Sequence, residues 1–152
     1  MIRTIAVAGL VAAALLVPAT AGAKDEAKKG GGKALLVPAS DLKFTEDPKS
    51  PGVQVAVLSG DPKKGASQLI IKLPANFSAP LHHHTADHYS VVLAGTMVFN
   101  YDGLDHTLPA GSYFSFTGKK QHTTQCHDPA GCTLFVDSRG KWDIVPEKTA
   151  SK

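Results

Sequence analysis

Two cysteines, two methionines and one tryptophan stand in a chain of 152 residues, and aromatic side chains make up only 7% of it. So small a cysteine set excludes a disulfide-rich scaffold, and no C-x-x-C or zinc-ribbon spacing is present. Charge is close to balanced, with 16 Lys and Arg against 13 Asp and Glu. No basic patch stands out, so no nucleic-acid partner is expected. There is no helical period of any length and no internal repeat. G-x-S-x-G, a phosphate-cradling glycine loop and an H-E-x-x-H helix are all missing. Carboxylates are sparse and none is paired near the histidines, which argues against a glycosidase acid–base pair.

What is present begins with an export signal. Arg3 supplies a positive start, Ile5 to Val17 is a run without charge, and Ala21-Gly22-Ala23 forms an A-x-A cleavage site. Residues 1–23 therefore read as a secretory signal peptide cleaved after Ala23, which predicts a periplasmic or secreted protein with no membrane contact after cleavage. The apolar run is short for a bilayer span. Residues 24–33 (KDEAKKGGGK) are charged and glycine-rich and read as a flexible leader. Residues 34–148 read as one domain, with 149–152 as a tail. Val53, Val55 and Val57 alternate with polar or small residues, and Leu69-Ile70-Ile71-Lys72-Leu73 is a second apolar run. Further strands are predicted at 88–94, 96–101, 112–116, 121–126, 132–136 and 141–145. Between them lie turn signals such as Gly60-Asp61-Pro62, Asp102-Gly103, Pro109-Ala110-Gly111 and Asp128-Pro129-Ala130-Gly131. Short strands with turns at this spacing predict an all-β antiparallel sandwich or barrel.

Residues 82–88 hold His82, His83, His84 and His88, four of the seven histidines of the chain. Side chains alternate between faces along an extended chain. His82 and His84 thus share a face, His83 takes the other, and His88 has the parity of Ser90 and Val92 in the next strand. Neutral imidazole is the commonest protein ligand for a transition metal, and three aimed inward make most of a site. Asp87 reads either as a carboxylate orienting a ligand ring or as an exposed turn residue. His106 and His127 read as surface residues. Tyr89, Val91, Leu93, Phe99, Tyr101, Tyr113, Phe114 and Phe116 read as core or barrel wall.

The pattern His82-x-His84, then His88, then Gly95 resembles the first motif of the cupin superfamily, which carries two histidines, a glutamate and a glycine. Pro109-Ala110-Gly111 followed by His122 resembles the second motif, and the likeness spans roughly 53–136. The segments around Leu58–Pro62, Gly131–Val136 and Gly140–Asp143 are similar to small secreted bacterial cupins of unassigned function, related to the cupin half of ChrR-type anti-sigma factors. No helical sigma-binding half is read in the sequence, so a sigma-regulating role is not expected. The resemblance implies a single-domain jelly-roll β-barrel with His82, His84, His88 and His122 as metal ligands. The departure from the motif is His88 in place of the glutamate. Four neutral donors leave the ion its full charge, which favours anionic ligands and strengthens it as a Lewis acid. Such a set suits iron, manganese, nickel, copper or zinc better than magnesium or calcium. Four ligands on one wall would leave positions open.

Cys126 and Cys132 flank an expected hairpin turn. In an oxidising compartment two cysteines usually pair; the competing reading makes Cys126 a fifth ligand or a redox thiol. Two functions follow. One is a metal-dependent oxygenase, isomerase or hydrolase of a small organic molecule. The other is a non-catalytic metal- or ligand-binding or sensing module. Pairing into a homodimer through edge strands is implied by resemblance alone.

Overall fold

The computed structural model describes residues 34–147. The expected signal peptide and leader, residues 1–33, and the tail 149–152 lie outside the described residues. A single 3-10 turn, Ala39–Asp41, precedes eleven strands. In chain order these are β1 (Thr45–Glu46), β2 (Gln54–Gly60), β3 (Ser67–Leu73), β4 (Ser78–His83), β5 (His88–Ala94), β6 (Thr96–Tyr101), β7 (Leu104–Pro109), β8 (Tyr113–Phe116), β9 (His122–Cys126), β10 (Cys132–Ser138) and β11 (Val145–Pro146). They form two antiparallel sheets, one ordered β1-β2-β3-β10-β5-β8 and the other β11-β4-β9-β6-β7. The chain passes from sheet to sheet between β3 and β4, β4 and β5, β5 and β6, and at every step from β7 through β11. This is the all-β jelly-roll architecture that the strand spacing predicts.

The core lies between the sheets and follows strict alternation. On β3 the buried positions are Ser67, Leu69, Ile71 and Leu73, and on β10 they are Cys132, Leu134, Val136 and Ser138. Leu134 sits opposite Ile71, and Val136 opposite Leu69, so inward side chains meet across the ladder and exclude water. Phe99 from the second sheet closes the core against Phe114 and Phe116.

Several expectations are corrected. The inward slots of β5 go to His88, Ser90 and Val92, so Tyr89, Val91 and Leu93 must point outward and are not core. Tyr113 pairs with Val91 on that outer face; it is 60% exposed, and Leu93 49%. β7 is absent from the predicted strands because it is an edge strand, almost wholly exposed and without apolar alternation. The stretch predicted as a strand at 141–145 is mostly an irregular strap, with only Val145 and Pro146 paired, to His83 and His82. β4 contains Pro80, which a regular strand tolerates poorly; it sits where the β4–β9 register shifts, between Ala79 and His82.

Gly95 alone separates β5 from β6. Its φ is +80°, and a Cβ there would lie 2.6 Å from the Gly131 carbonyl oxygen and 2.9 Å from the Cys132 sulfur, so only glycine fits. The Asp102-Gly103 turn joins β6 to β7 with positive φ at both residues, the geometry of a two-residue hairpin. Cys126 and Cys132 form a disulfide with Cα atoms 5.9 Å apart. It does not staple a hairpin as expected: β9 and β10 belong to different sheets, and the bond ties the two layers together. Cys126 is thereby removed as a ligand or a free thiol.

Candidate metal centre

The register of β4 against β9 sets His82 directly opposite His122. His84 follows β4 in the connection that crosses to the other sheet, and His88 opens β5. The four rings thus come from both sheets and the link between them, not from one wall. All are buried, with His82 3%, His84 7%, His88 2% and His122 1% exposed. One ring nitrogen from each of His82, His84 and His122 lies within 4.8 Å of the others. His88 stands outside that group, its ring 4.5 Å from His84 and 6.3 Å from His122.

Hydrogen bonds decide which nitrogen each ring offers. Nδ1 of His82 donates to the Pro80 carbonyl at 2.7 Å, Nδ1 of His122 to the Lys120 carbonyl at 3.0 Å, and Nδ1 of His84 to the Asp143 carbonyl. A carbonyl oxygen only accepts, so each Nδ1 carries the proton and each Nε2 keeps a free lone pair. This is the tautomer a metal-binding histidine needs, held by the outer hydrogen bond that such ligands usually make. The bulge at Pro80 now has a use: it turns that carbonyl toward its own neighbour two residues on. His88 differs, because its buried Nδ1 makes no well-formed hydrogen bond among the described residues, with only the Ala86 backbone near enough to favour its protonated form. The donor set fits a borderline divalent ion.

Electrostatics agree. Burial pushes His84 down to about 2, helped by the neighbouring rings of His88, His82 and His122, with the Asp143 carbonyl partly offsetting. Burial likewise takes His88 and His122 to about 4 and lowers His82. All four rings are neutral at pH 7 and ready to coordinate without first losing a proton.

The residues around the rings were not legible as site residues. The indole of Trp142 stacks on His84 at 4.3 Å and meets His88 edge-on at 5.3 Å. Phe116 stacks flat on His122 at 3.7 Å. The Asp143 carboxylate accepts the Thr85 N–H at 2.9 Å and the Thr85 hydroxyl at 2.8 Å, fixing the turn that carries His84. The one signal for this strap was the chain's single tryptophan, which sequence distance separates from the histidines. His83 faces away as expected, yet it is half-buried beneath β11 and paired with the Glu147 carboxylate. Asp87 orients no ring; its carboxylate accepts the Gly118 N–H at 2.8 Å and ties two turns together. His106 and His127 are exposed.

Beside the rings lies a pocket of about 70 Å³. Its walls are mostly apolar, including Phe99, Phe114, Leu134 and Val136, and the Ser90 side chain also lines it.

A family described as a domain of unknown function, DUF4437, matches residues 16–145. The chain belongs to that cupin-like family. No curated protein matches the chain in sequence. Solved cupins share the fold. The polyketide cyclase RemF from Streptomyces resistomycificus superposes with a TM-score of 0.62 at 18% identity, covering 78% of this chain and 88% of that one. An RmlC-like cupin from Ralstonia eutropha gives 0.59 at 25% identity, over 73% and 76%. The Rhodobacter sphaeroides complex of SigE with the anti-sigma ChrR gives 0.54 at 19%, over 66% of this cupin and 51% of that chain.

Proposed function

We propose that this cupin is an exported metal-dependent enzyme acting on a small organic molecule. One divalent transition ion (iron, manganese, nickel, copper or zinc) is held by Nε2 of His82, His84 and His122, and His88 supplies the fourth nitrogen. The observation that carries the reading is the set of three Nδ1–H···O=C bonds, which leaves Nε2 free on three buried rings that each bring a nitrogen within 4.8 Å of the others. When bound, the ion supplies Lewis-acid or oxygen-binding chemistry. The chain's own part is to hold the rings neutral, to exclude water with Trp142 and Phe116, and to seat the substrate in the apolar pocket. Asp47 is the one carboxylate of that pocket, which also has no lysine or arginine, so proton transfer by a second side chain has little to draw on. A buried site opening into an apolar pocket is the pattern of an enzyme more than of a sensor. The polyketide cyclase among the similar folds gives a precedent for chemistry in such a barrel.

The Ala21-Gly22-Ala23 site and the inter-sheet disulfide support export to the periplasm or beyond. The test is to load purified protein with each of the five metals and follow consumption of small enols, diketones and phenols by NMR, with oxygen uptake in parallel. Metal-dependent turnover of one class is expected. Full metal occupancy with no turnover of any would replace the enzyme by a binding or sensing module.

A further inference from the structure

The pocket beside the histidines has a composition that restricts what enters it. Its only basic side chains are the neutral rings of His82, His84 and His88, it has no lysine or arginine, and its sole carboxylate, Asp47, is occupied in accepting the Lys49 N–H at 3.0 Å. A charged group buried there would have no counter-ion away from the metal, and an unpaired buried charge is excluded by its desolvation cost. The volume is also small. At roughly 10–15 Å³ for each water, about 70 Å³ accommodates about five waters, so a ligand has on the order of five to ten heavy atoms.

Three hydroxyl residues line the pocket, Ser50 ahead of β2 and, on facing sheets, Ser90 and Thr124. Ser90 lies two residues beyond His88 on β5, and Thr124 two residues beyond His122 on β9; both line the pocket. Two residues along a strand advance about 6.6 Å, so these side chains sit about that far along their strands from the histidines. Ser90 is 1% exposed, and its Oγ has no hydrogen-bond partner among the described residues. Burying a hydroxyl without a partner costs stability, and a native protein rarely keeps one without a use.

We infer that the pocket takes a small uncharged molecule, largely hydrocarbon with a hydroxyl or carbonyl oxygen, and that the Ser90 hydroxyl binds that oxygen. This deepens the proposed metal-dependent site by naming its ligand class, while the hydroxyl and the apolar walls act on the ligand whether or not the metal is bound. Ser90 is kept for recognition at the expense of stability, the trade expected of a binding residue.

The test uses EDTA-treated protein with phenol, toluene and benzoate as probes, followed through the methyl NMR signals of Leu134 and Val136. Phenol should shift both saturably, toluene should bind about fivefold more weakly for want of one hydrogen bond, and benzoate should leave them unmoved. Ser90→Ala should bring phenol to toluene's affinity and raise the thermal midpoint by roughly 2–5 °C, since it deletes an unsatisfied polar group. Benzoate binding as tightly as phenol, no saturable shift by any probe, or an unchanged phenol-to-toluene ratio in Ser90→Ala would each overturn the inference. A lowered midpoint with unchanged binding would make the hydroxyl structural and overturn it too. Elemental analysis of untreated protein separates the two proposals. Phenol binding by a chain that takes up no metal would remove the metal reading alone.

Discussion

The metal-free protein should lose much of its stability between pH 7 and pH 5. Unfolded histidine titrates near 6.5, whereas burial holds His84 near 2 and His88 and His122 near 4. Between about 4 and 6.5 the unfolded chain therefore binds more protons than the folded one. Stability is complete above the unfolded value and falls as the pH drops through that window. For a ring at pKa 4 or below, going from pH 7 to pH 5 costs about 1.8 kcal/mol, so three rings cost about 5.5 kcal/mol. Allowing half for water entering the pocket and for coupling between the rings leaves about 3 kcal/mol, a large share of a typical domain's 5–15. His82, also lowered by burial, acts in the same direction. Urea unfolding of EDTA-treated protein at the two pH values measures the difference, and His84→Leu should shrink it by about 1 kcal/mol by removing one titrating ring. Equal stability at both values, with intact cooperativity, would refute the claim that these rings are buried and neutral.

Other consequences are local. Asp143→Ala removes both bonds to Thr85 and should cost about 1–2 kcal/mol while weakening metal affinity at least about tenfold; metal-competition titration alongside thermal melting separates the two effects. Gly95→Ala places a Cβ against the Gly131 carbonyl at positive φ and should destabilise by about 2–4 kcal/mol in chemical denaturation. Replacing Cys126 and Cys132 together by serine frees a short loop in the unfolded chain and should cost about 2 kcal/mol, read as a lower urea midpoint. Trp142 is the chain's sole tryptophan and stacks on His84, so copper(II) or nickel(II) should quench its fluorescence saturably, and His122→Ala should abolish the saturation.

The sequence carries the fold where local pattern and layer agree. β3, β5 and β10 alternate because one face of each is core, and turns rich in Gly, Pro and Asp mark their ends. β7 is silent because an edge strand exposed on both faces has no alternation to display, and β4 is masked by Pro80, which only the bulge accommodates. The parity of His82, His84 and His88 is readable since side-chain direction in a strand is a local property. The split of the four rings between two sheets is not, because it depends on which strands pair. The same holds for the strap: Trp142 and Asp143 reach His84 and Thr85 across more than fifty residues of chain, and neither periodicity nor spacing encodes such a contact. The Cys126–Cys132 pairing follows from compartment and proximity, while its place between the layers follows only from topology.

The central claim is that three fixed tautomers prepare a metal centre. Elemental analysis of the protein purified without a histidine tag tests it most directly, with His122→Ala alongside. The account predicts about one transition-metal ion per chain, as expected for a single site, and its loss in the variant. No metal bound even after reconstitution with iron, manganese, nickel, copper and zinc would contradict it.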